Sequence, residues 1–200
     1  VNDAPALRQA NIGVAMGITG TSVSKEAADM VLVDDNFATI VAAVEEGRRV
    51  YDNLVKSLAF VLPTNLALAL IMVVAVVAFP FDPTTLTLLL PVAPTQLLWI
   101  NLVAAVTLAL PLAFEAKEPD LMARPPRDPN TPVLTKDLVI RTVIAAVLMT
   151  AGVVFVFRWE LGVHTDPGPE LEAVAQTMSV TTAIAFQVFY VLNCRSLRAG

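Results

Sequence analysis

Residues 37–79 read FATIVAAVEEGRRVYDNLVKSLAFVLPTNLALALIMVVAVVAF, and this stretch decides the fold of the chain. Its first half has a helical pattern with acidic and basic residues, and it becomes apolar from about Leu58. The apolar part, residues 58–79, is long enough to cross a hydrocarbon layer about 30 Å thick. We therefore predict one helix that begins as a cytoplasmic stalk at residues 37–57 and continues into the bilayer.

The composition of the 200 residues is that of a membrane protein, with 56% hydrophobic and 16% charged residues. The single cysteine, Cys194, excludes an internal disulfide and a cysteine metal cluster. The chain begins with Val, and no signal peptide precedes its first apolar run, so we expect it to be part of a longer protein. Hydropathy predicts four transmembrane helices in a membrane domain at residues 58–200, at about 58–79, 96–114, 138–157 and 174–194.

The basic residues are unevenly distributed among the loops. Residues 80–95 contain neither Lys nor Arg, whereas the loop at residues 115–137 carries Lys117, Arg124, Arg127 and Lys136. The tail carries two further arginines, Arg195 and Arg198. Because basic loops stay on the cytoplasmic side, we expect a multi-pass integral membrane protein whose N-terminal segment, 115–137 loop and C-terminal tail are cytoplasmic.

Residues 1–36 have the pattern of a soluble α/β segment. Short helical stretches at residues 4–10 and around 25–28 alternate with strand-like runs at residues 12–16 and 30–33. This alternation predicts a parallel sheet. Thirty-six residues are too few to close a hydrophobic core, so we expect the rest of this domain to lie upstream.

The first residues, VNDAPAL at positions 1–7, place Asn2 and Asp3 before a predicted helix, with Asp3 as its N-cap and Pro5 inside its first turn. An exposed carboxylate and amide at a helix start suit a site for magnesium and phosphate, because the carboxylate favours the cation and the helix N-terminus favours the anion. The same residues could equally form an ordinary capped helix.

Polar residues inside the predicted spans are candidates for an ion pathway. Pro63 cannot donate a backbone hydrogen bond, so it should free the carbonyl of Ala59 beside the Asn65 amide, and together these make a plausible set of cation ligands. Each of these polar groups could instead form hydrogen bonds between helices. The candidates in the second span are Gln96, Asn101 and Thr107, and those in the fourth span are Thr181, Thr182 and Gln187.

Four stretches of this chain together resemble the P-type ATPases, specifically the cation pumps of the calcium-pump and sodium–potassium-pump group. They occur in the family's order over the first two-thirds of the chain, whereas the last third is similar mainly in hydropathy. The stretches are VNDAPALRQANIGVAMG (1–17), KEAADMVLVDDNFATIVAAVEEGR (25–48), PTQLLWINLV (94–103) and DLMARPPR (120–127).

The resemblance implies an α-helical multi-span membrane domain preceded by the end of a Rossmann-like, haloacid-dehalogenase-type phosphorylation domain, here residues 1–36. Such an enzyme uses ATP and Mg²⁺ to phosphorylate an aspartate and couples that step to ion translocation. Asn2 and Asp3 match the loop beside the phosphoaspartate, where Asn2 contacts phosphate and Asp3 lies near magnesium. The phosphorylated aspartate and the nucleotide domain are absent from these residues, so this segment alone cannot hydrolyse ATP.

The resemblance also implies partners and a way to couple the two domains. The partners are a transported cation, the lipid bilayer and the missing N-terminal part of the same protein, and no nucleic-acid partner is expected. A rigid helix over residues 37–79 can carry a rotation from the phosphorylated domain to an ion site. The loop at residues 115–137 either braces this helix or serves only as a basic topogenic loop.

The candidate cation ligands depart from the calcium-pump pattern. Asn65 and Asn101 match two calcium-binding asparagines, but Leu68 and Gln187 stand where that pump has glutamates. A pair of alanines, Ala104 and Ala105, stands where it has a threonine and an aspartate. Neutral amides offset the desolvation of a divalent ion poorly, so we expect no two-calcium arrangement. A single site completed by an upstream glutamate, a monovalent substrate, and a transport-inactive relative with a structural or regulatory role all stay open.

Overall fold

A computed structural model describes residues 3–79, 81–82, 87–128, 130–163 and 169–195. The chain forms two compact units. The first comprises Val1–Arg49 and Lys117–Arg124, and the second comprises Val50–Ala116 and Pro125–Gly200. Each unit is described by itself.

The first unit contains the α/β segment predicted from the sequence. Strands β1 and β2 pair in parallel, with Val14 opposite Met30, which confirms the predicted parallel pairing. Both strands are shorter than their apolar runs. The second helix is capped by Thr21, whose hydroxyl oxygen accepts a hydrogen bond of 3.2 Å from the Ser24 backbone N–H. The elements are α1 (Ala4–Gln9), β1 (Val14–Met16), α2 (Ser22–Ala27) and β2 (Met30–Leu32).

The Asp35 carboxylate holds the turn that follows β1. Its oxygens accept hydrogen bonds of 2.8 Å from the backbone N–H groups of Ile18 and Thr19, and one of 2.7 Å from the Thr19 hydroxyl. These bonds stabilise the ionised form and hold the pKa of Asp35 below its usual value. Asp35 has a φ of 53°, a left-handed conformation that Asp tolerates better than most residues. The carboxylate therefore fixes the turn that follows β1.

Helix α3 (Ala38–Ala78) is continuous over 41 residues, as the sequence predicted, and is about 60 Å long. It begins in the first unit and ends in the second. Pro63 lies inside it without ending it. Its buried residues recur at helical spacing along one face, namely Asn53, Lys56, Ala59, Phe60, Pro63, Thr64, Ala67, Leu68, Ile71 and Ala75.

The second unit contains the remaining helices and a small hairpin. Within the described residues, four helical segments are long and apolar enough to cross a membrane, which confirms the α-helical multi-span class. Strands β3 (Phe81–Asp82) and β4 (Thr87–Leu88), which the sequence did not predict, pair antiparallel. The helices are α4 (Pro94–Ala104), α5 (Leu110–Ala113), α6 (Lys136–Val163) and α7 (Pro169–Cys194).

The middle of the second predicted span departs from a regular α-helix. A π-helical turn, Ala105–Ala109, separates α4 from α5, and the three pieces together form one apolar helical segment, Pro94–Ala113, long enough to cross a membrane, close to the span predicted at about residues 96–114. Pro111 has no N–H to donate to the carbonyl one turn earlier, that of Thr107, and its ring crowds that carbonyl. The backbone therefore widens just before the proline.

The core of the second unit consists of three apolar clusters along the bundle. Leu138 packs in the same cluster as Cys194, Ala146 as Ala183, and Phe157 as Ala175. Since these α6 numbers rise as the α7 numbers fall, the two helices are antiparallel. Helix α3 contributes to all three clusters, through Ala59 and Phe60, then Ala67, Leu68 and Ile71, then Ala75.

We predict that Asp35→Ala loosens the turn after β1 in the intact protein. Hydrogen exchange measured by mass spectrometry should speed up at the Ile18 and Thr19 amides, which lose their acceptors. Because the pKa of Asp35 is lower in the folded state, its stabilising effect is present at neutral pH and is lost as pH falls through the folded pKa. The control is Glu26→Ala, at an exposed position on α2. Equal exchange in both variants would contradict this role of Asp35.

Candidate functional site

The three predicted cation ligands lie in different environments. Asn65 on α3 and Asn101 on α4 are exposed, whereas Gln187 on α7 is only 1% exposed. The Nε2 atom of Gln187 is buried and has no hydrogen-bond partner among the described residues. Among the residues that the structure describes, no hydrogen bond joins any two of these three side chains. Gln187 therefore differs from the two asparagines in being buried and in having an unpaired donor among the described residues.

The positions that lack acidic residues are filled by apolar packing. Leu68 is 3% exposed and packs in one cluster with Ile71 and Ile100. Ala104 is 8% exposed, and Ala105 begins the π-helical turn. Across the described ranges, no group of three or more His, Cys, Asp or Glu side chains could hold a metal ion.

Gln187 ends a buried stripe of small residues on α7. Ala175, Ser179 and Ala183 precede it at intervals of four residues, and all three are fully buried. The Ser179 hydroxyl donates to the Ala175 carbonyl at 2.8 Å, so it is satisfied within its own helix. The Gln187 amide is not, and an unsatisfied buried donor costs about 1–3 kcal/mol. Such an orphan is a reason to expect a ligand or a further partner at this point.

The carbonyl that Pro63 frees already has a partner. The Tyr190 hydroxyl of α7 donates a 3.3 Å hydrogen bond to the Ala59 carbonyl. The Thr64 hydroxyl donates to the neighbouring carbonyls of Phe60 and Val61, at 3.0 and 3.1 Å. The expectation that the Ala59 carbonyl is open to a cation is therefore wrong for this structure, because the bundle uses it to join α7 to α3.

Aromatic stacking fixes the position of the Tyr190 hydroxyl. The Tyr190 ring is stacked against Phe60 of α3, with ring centroids 6.4 Å apart, and against Phe186 of its own helix, at 5.8 Å. Offset stacked rings at these separations attract each other. The hydroxyl is thus held at the level of the proline turn, where a backbone acceptor lacks its helical donor.

A second polar contact joins α6 to α3 in the middle of the bundle. The buried Thr150 hydroxyl lies 3.3 Å from the Ala67 carbonyl of α3 and 2.8 Å from the Ala146 carbonyl of its own helix. Polar side chains of both α6 and α7 therefore serve helix packing against α3.

The end of α5 is held by a polar cluster. The Asn53 side chain, 2% exposed, donates from Nδ2 to the carbonyls of Ala113 and Glu115, at 3.2 and 2.9 Å. The Glu115 carboxylate accepts from the Arg195 guanidinium at 2.8 Å, and Arg195 together with Lys56 holds the pKa of Glu115 below its usual range. Glu115 is therefore committed to an ion pair.

Within the first unit, part of the loop that follows α5 is fastened to the beginning of α3. The Arg48 guanidinium donates from Nη1 to the carbonyls of Leu121 and Arg124, at 3.0 and 2.8 Å. Lys117 forms an ion pair of 2.7 Å with Glu45. These contacts favour the bracing role for the loop at residues 115–137 over a purely topogenic one.

The structure describes one residue of the predicted catalytic pair Asn2 and Asp3. Asn2 lies outside the described residues. Asp3 is exposed at the N-cap of α1, but its φ and ψ of −89° and −11° are helical and its side chain makes no capping hydrogen bond. The predicted side-chain cap is therefore wrong, and the Asp3 carboxylate is not engaged by its own helix.

Four residues join separate segments of the chain in ways that the sequence did not predict, namely Tyr190, Asn53, Arg48 and Thr150. Asn53 had a local signal, because an amide lies there on the face that later carries the buried residues of α3. The other three have partners more than 70 positions away along the chain. No local pattern indicates such pairs.

Comparison with known proteins gives a consistent result. A family model described as cation transporting ATPase, C-terminus, matches residues 89–199. The probable cation-transporting ATPase F of Mycobacterium tuberculosis is 51% identical over 197 residues, which cover 98% of this chain and 20% of that protein. A calcium-transporting ATPase of Bacillus subtilis is 42% identical over 196 residues, covering 98% of this chain and 21% of that protein. The chain thus spans about a fifth of the length of the curated relatives it matches.

We predict that Tyr190→Phe destabilises the intact protein by about 1 kcal/mol, because the Ala59 carbonyl loses its donor while the ring stacking is kept. In a Pro63→Ala background the residue 63 N–H can take that carbonyl, so Tyr190→Phe should then cost much less. Thermal unfolding of the four proteins in detergent would measure this cycle. An equal cost in both backgrounds would show that Tyr190 does not serve the proline turn.

Proposed function

This chain belongs to the cation-transporting ATPases, and on that premise we propose that it is part of an ATP-driven pump that couples aspartyl phosphorylation to cation translocation. It would supply the end of a haloacid-dehalogenase-type phosphorylation domain, the stalk at the start of α3 and four membrane spans. The observation that carries the proposal within the membrane is the buried Gln187 side chain, whose Nε2 has no partner among the described residues, on a helix long and apolar enough to cross the bilayer.

We infer that Gln187 is a cation ligand. A half-turn of its terminal amide exchanges the orphaned Nε2 for Oε1, an acceptor that can coordinate a cation. Rare polar groups inside membrane spans commonly mark ion pathways. The amide lies on the buried face of α7, and no described residue forms a hydrogen bond with its Nε2 donor.

Asn65 and Asn101 would complete the pathway with parts of the pump outside this chain. Both amides are exposed on apolar helices. An amide that faces hydrocarbon without a partner is costly, so each needs a polar neighbour, a water-filled path or an ion. We propose that the exposed faces of α3 and α4 at these two residues border the ion pathway.

The donor chemistry limits the substrate. Leu68 and Ala104 are packed in apolar surroundings, and the proposed ligands Asn65, Asn101 and Gln187 are all neutral. Neutral oxygens suit a monovalent cation, or a single divalent cation whose negative ligands come from elsewhere in the pump. The relatives from Bacillus subtilis and Pongo abelii are named calcium-transporting ATPases, so a single calcium site is included in this proposal.

The energy-coupling site would lie at the start of the chain. Asn2 would contact the phosphoryl group, and Asp3, whose carboxylate makes no capping bond, would provide one oxygen near Mg²⁺. Bound Mg²⁺ and ATP supply the charge neutralisation and the phosphoryl group for the reaction. In this arrangement the N-terminal segment, the loop at residues 115–137 and the C-terminal tail are cytoplasmic.

A transport-inactive relative is the second candidate, and the apolar packing of Leu68 and Ala104 favours it. The two candidates differ in whether ATP phosphorylates the intact protein. An active pump forms an acid-stable aspartyl phosphate, and an inactive relative with a structural role does not.

We predict that the full-length protein forms this phosphoenzyme and that Asp3→Ala lowers its Mg²⁺-dependent formation about 10- to 100-fold, the range expected when metal coordination is disturbed. Incorporation of labelled phosphate from ATP measures the effect. Glu26→Gln, an exposed charge change in the same unit, should leave it unchanged. Absence of phosphoenzyme in the unmodified protein would support the inactive relative.

We predict that the intact pump is not activated by submicromolar calcium through this half, because its candidate ligands are neutral. Gln187→Glu should raise the apparent calcium affinity about tenfold or more by adding a carboxylate at a buried ligand position. Gln176→Glu makes the same change on α7 at a residue that donates to the Leu90 carbonyl, and it should have little effect. Submicromolar calcium activation that is lost on Asn65→Ala would refute the prediction.

A further inference from the structure

Helices α6 and α7 enclose a groove with a cavity of about 390 Å³, within the range of ligand-binding pockets. Helix α6 contributes Arg141 and Leu148 to its lining, and α7 contributes Phe186, Phe189 and Asn193. None of these residues belongs to the candidate ion site. We propose that this groove binds one anionic phospholipid, with its phosphate at Arg141 and its acyl chains along the aromatic residues of α7.

The groove has a polar end and an apolar end. Arg141 is in the second turn of α6, about 7.5 Å from the start of that helix, and Asn193 is in the last turn of α7. The two lie at the same level because the helices are antiparallel and Leu138 packs with Cys194. Leu148 and Phe186 line the other end, about 10 Å further along the bundle. This gradient matches a lipid lying with its headgroup at the membrane boundary.

Arg141 has no anionic partner in the part of the chain that the structure describes. Asp137, one turn earlier on α6, makes no ion pair with it, and no hydrogen bond from its guanidinium to a described residue is present. The α7 groups that face it, Tyr190 and Cys194, are uncharged in their ordinary forms. The N-terminus of α6 carries the positive end of the helix dipole. An anion here would therefore be stabilised both by the Arg141 guanidinium and by that dipole.

A phospholipid satisfies both ends of the groove, whereas a free anion satisfies only one. Phe189 is 73% exposed at the apolar side, and a free phosphate would leave that ring uncovered. An anionic lipid places a phosphate on the guanidinium and hydrocarbon on the aromatic rings, as basic pockets between membrane helices do. The proposal depends on these helices lying in a bilayer and not on the pump activity.

The test is native mass spectrometry of the full-length protein titrated with phosphatidylglycerol or phosphatidylcholine. We expect one tightly held phosphatidylglycerol and no equivalent phosphatidylcholine. Arg141→Gln should weaken binding of that one lipid at least tenfold, and Arg141→Lys should retain most of it. Arg158→Gln is the matched control, because Arg158 lies near the other end of α6, over the Phe79 ring and away from the groove. Unchanged thermal unfolding of each variant would show that folding is intact.

Three outcomes would overturn the proposal. Equal phosphatidylglycerol binding by the wild type and Arg141→Gln would exclude the guanidinium as the headgroup site. Displacement of the lipid by inorganic phosphate at similar concentration, with no loss on Phe189→Gln, would indicate a simple anion site. A cysteine placed at Ile144 that crosslinks to another segment of the same protein would show that protein, not lipid, fills the groove.

Discussion

The packing of the membrane helices depends on one backbone carbonyl of α3. Pro63 removes the N–H that would bond to the Ala59 carbonyl, and a carbonyl inside a bilayer needs another donor because no water reaches it. The Tyr190 hydroxyl donates to this carbonyl in place of the missing N–H, which requires the end of α7 to pack beside the proline turn. The antiparallel course of α6 and α7, and the stacking of Tyr190 on Phe60, are consistent with that requirement.

Whether a polar side chain already has a hydrogen-bond partner distinguishes groups that serve packing from candidates for a functional role. The hydroxyls of Thr64 and Thr150 donate to carbonyls of α3, and those of Ser179 and Thr107 donate within their own helices. These bonds satisfy the groups without any ligand. Gln187 differs, since its donor is buried and unpaired on a face otherwise made of small residues. Thr142 Oγ1 of α6 is also buried without a partner among the described residues, so the unpaired Nε2 supports the proposed role of Gln187 as a cation ligand without being unique to it.

The sequence predicted the features that depend on local periodicity and missed those that depend on distant pairing. The continuous helix α3 and the parallel pairing of β1 with β2 follow from apolar spacing and from strand–helix alternation. The π-helical turn before Pro111 had a local cause that the hydropathy of the span concealed. The partner of the Ala59 carbonyl, Tyr190, lies 131 residues further along the chain. Pro63 therefore predicted that the carbonyl lacks its helical donor, but no local pattern predicted that the Tyr190 hydroxyl would bond to it.

The positions of the acidic residues imply that the selectivity of any ion site here would depend partly on ligands outside these helices. The acidic residues of α6 and α7 lie within the terminal turns, at Asp137, Glu160, Glu170 and Glu172. Glu115, after α5, is paired with Arg195. Since a dehydrated divalent cation needs negative ligands, a divalent substrate would require a carboxylate from a helix beyond this chain. The exposed faces at Asn65 and Asn101 are where such a helix would have to pack for its carboxylate to share an ion with these amides.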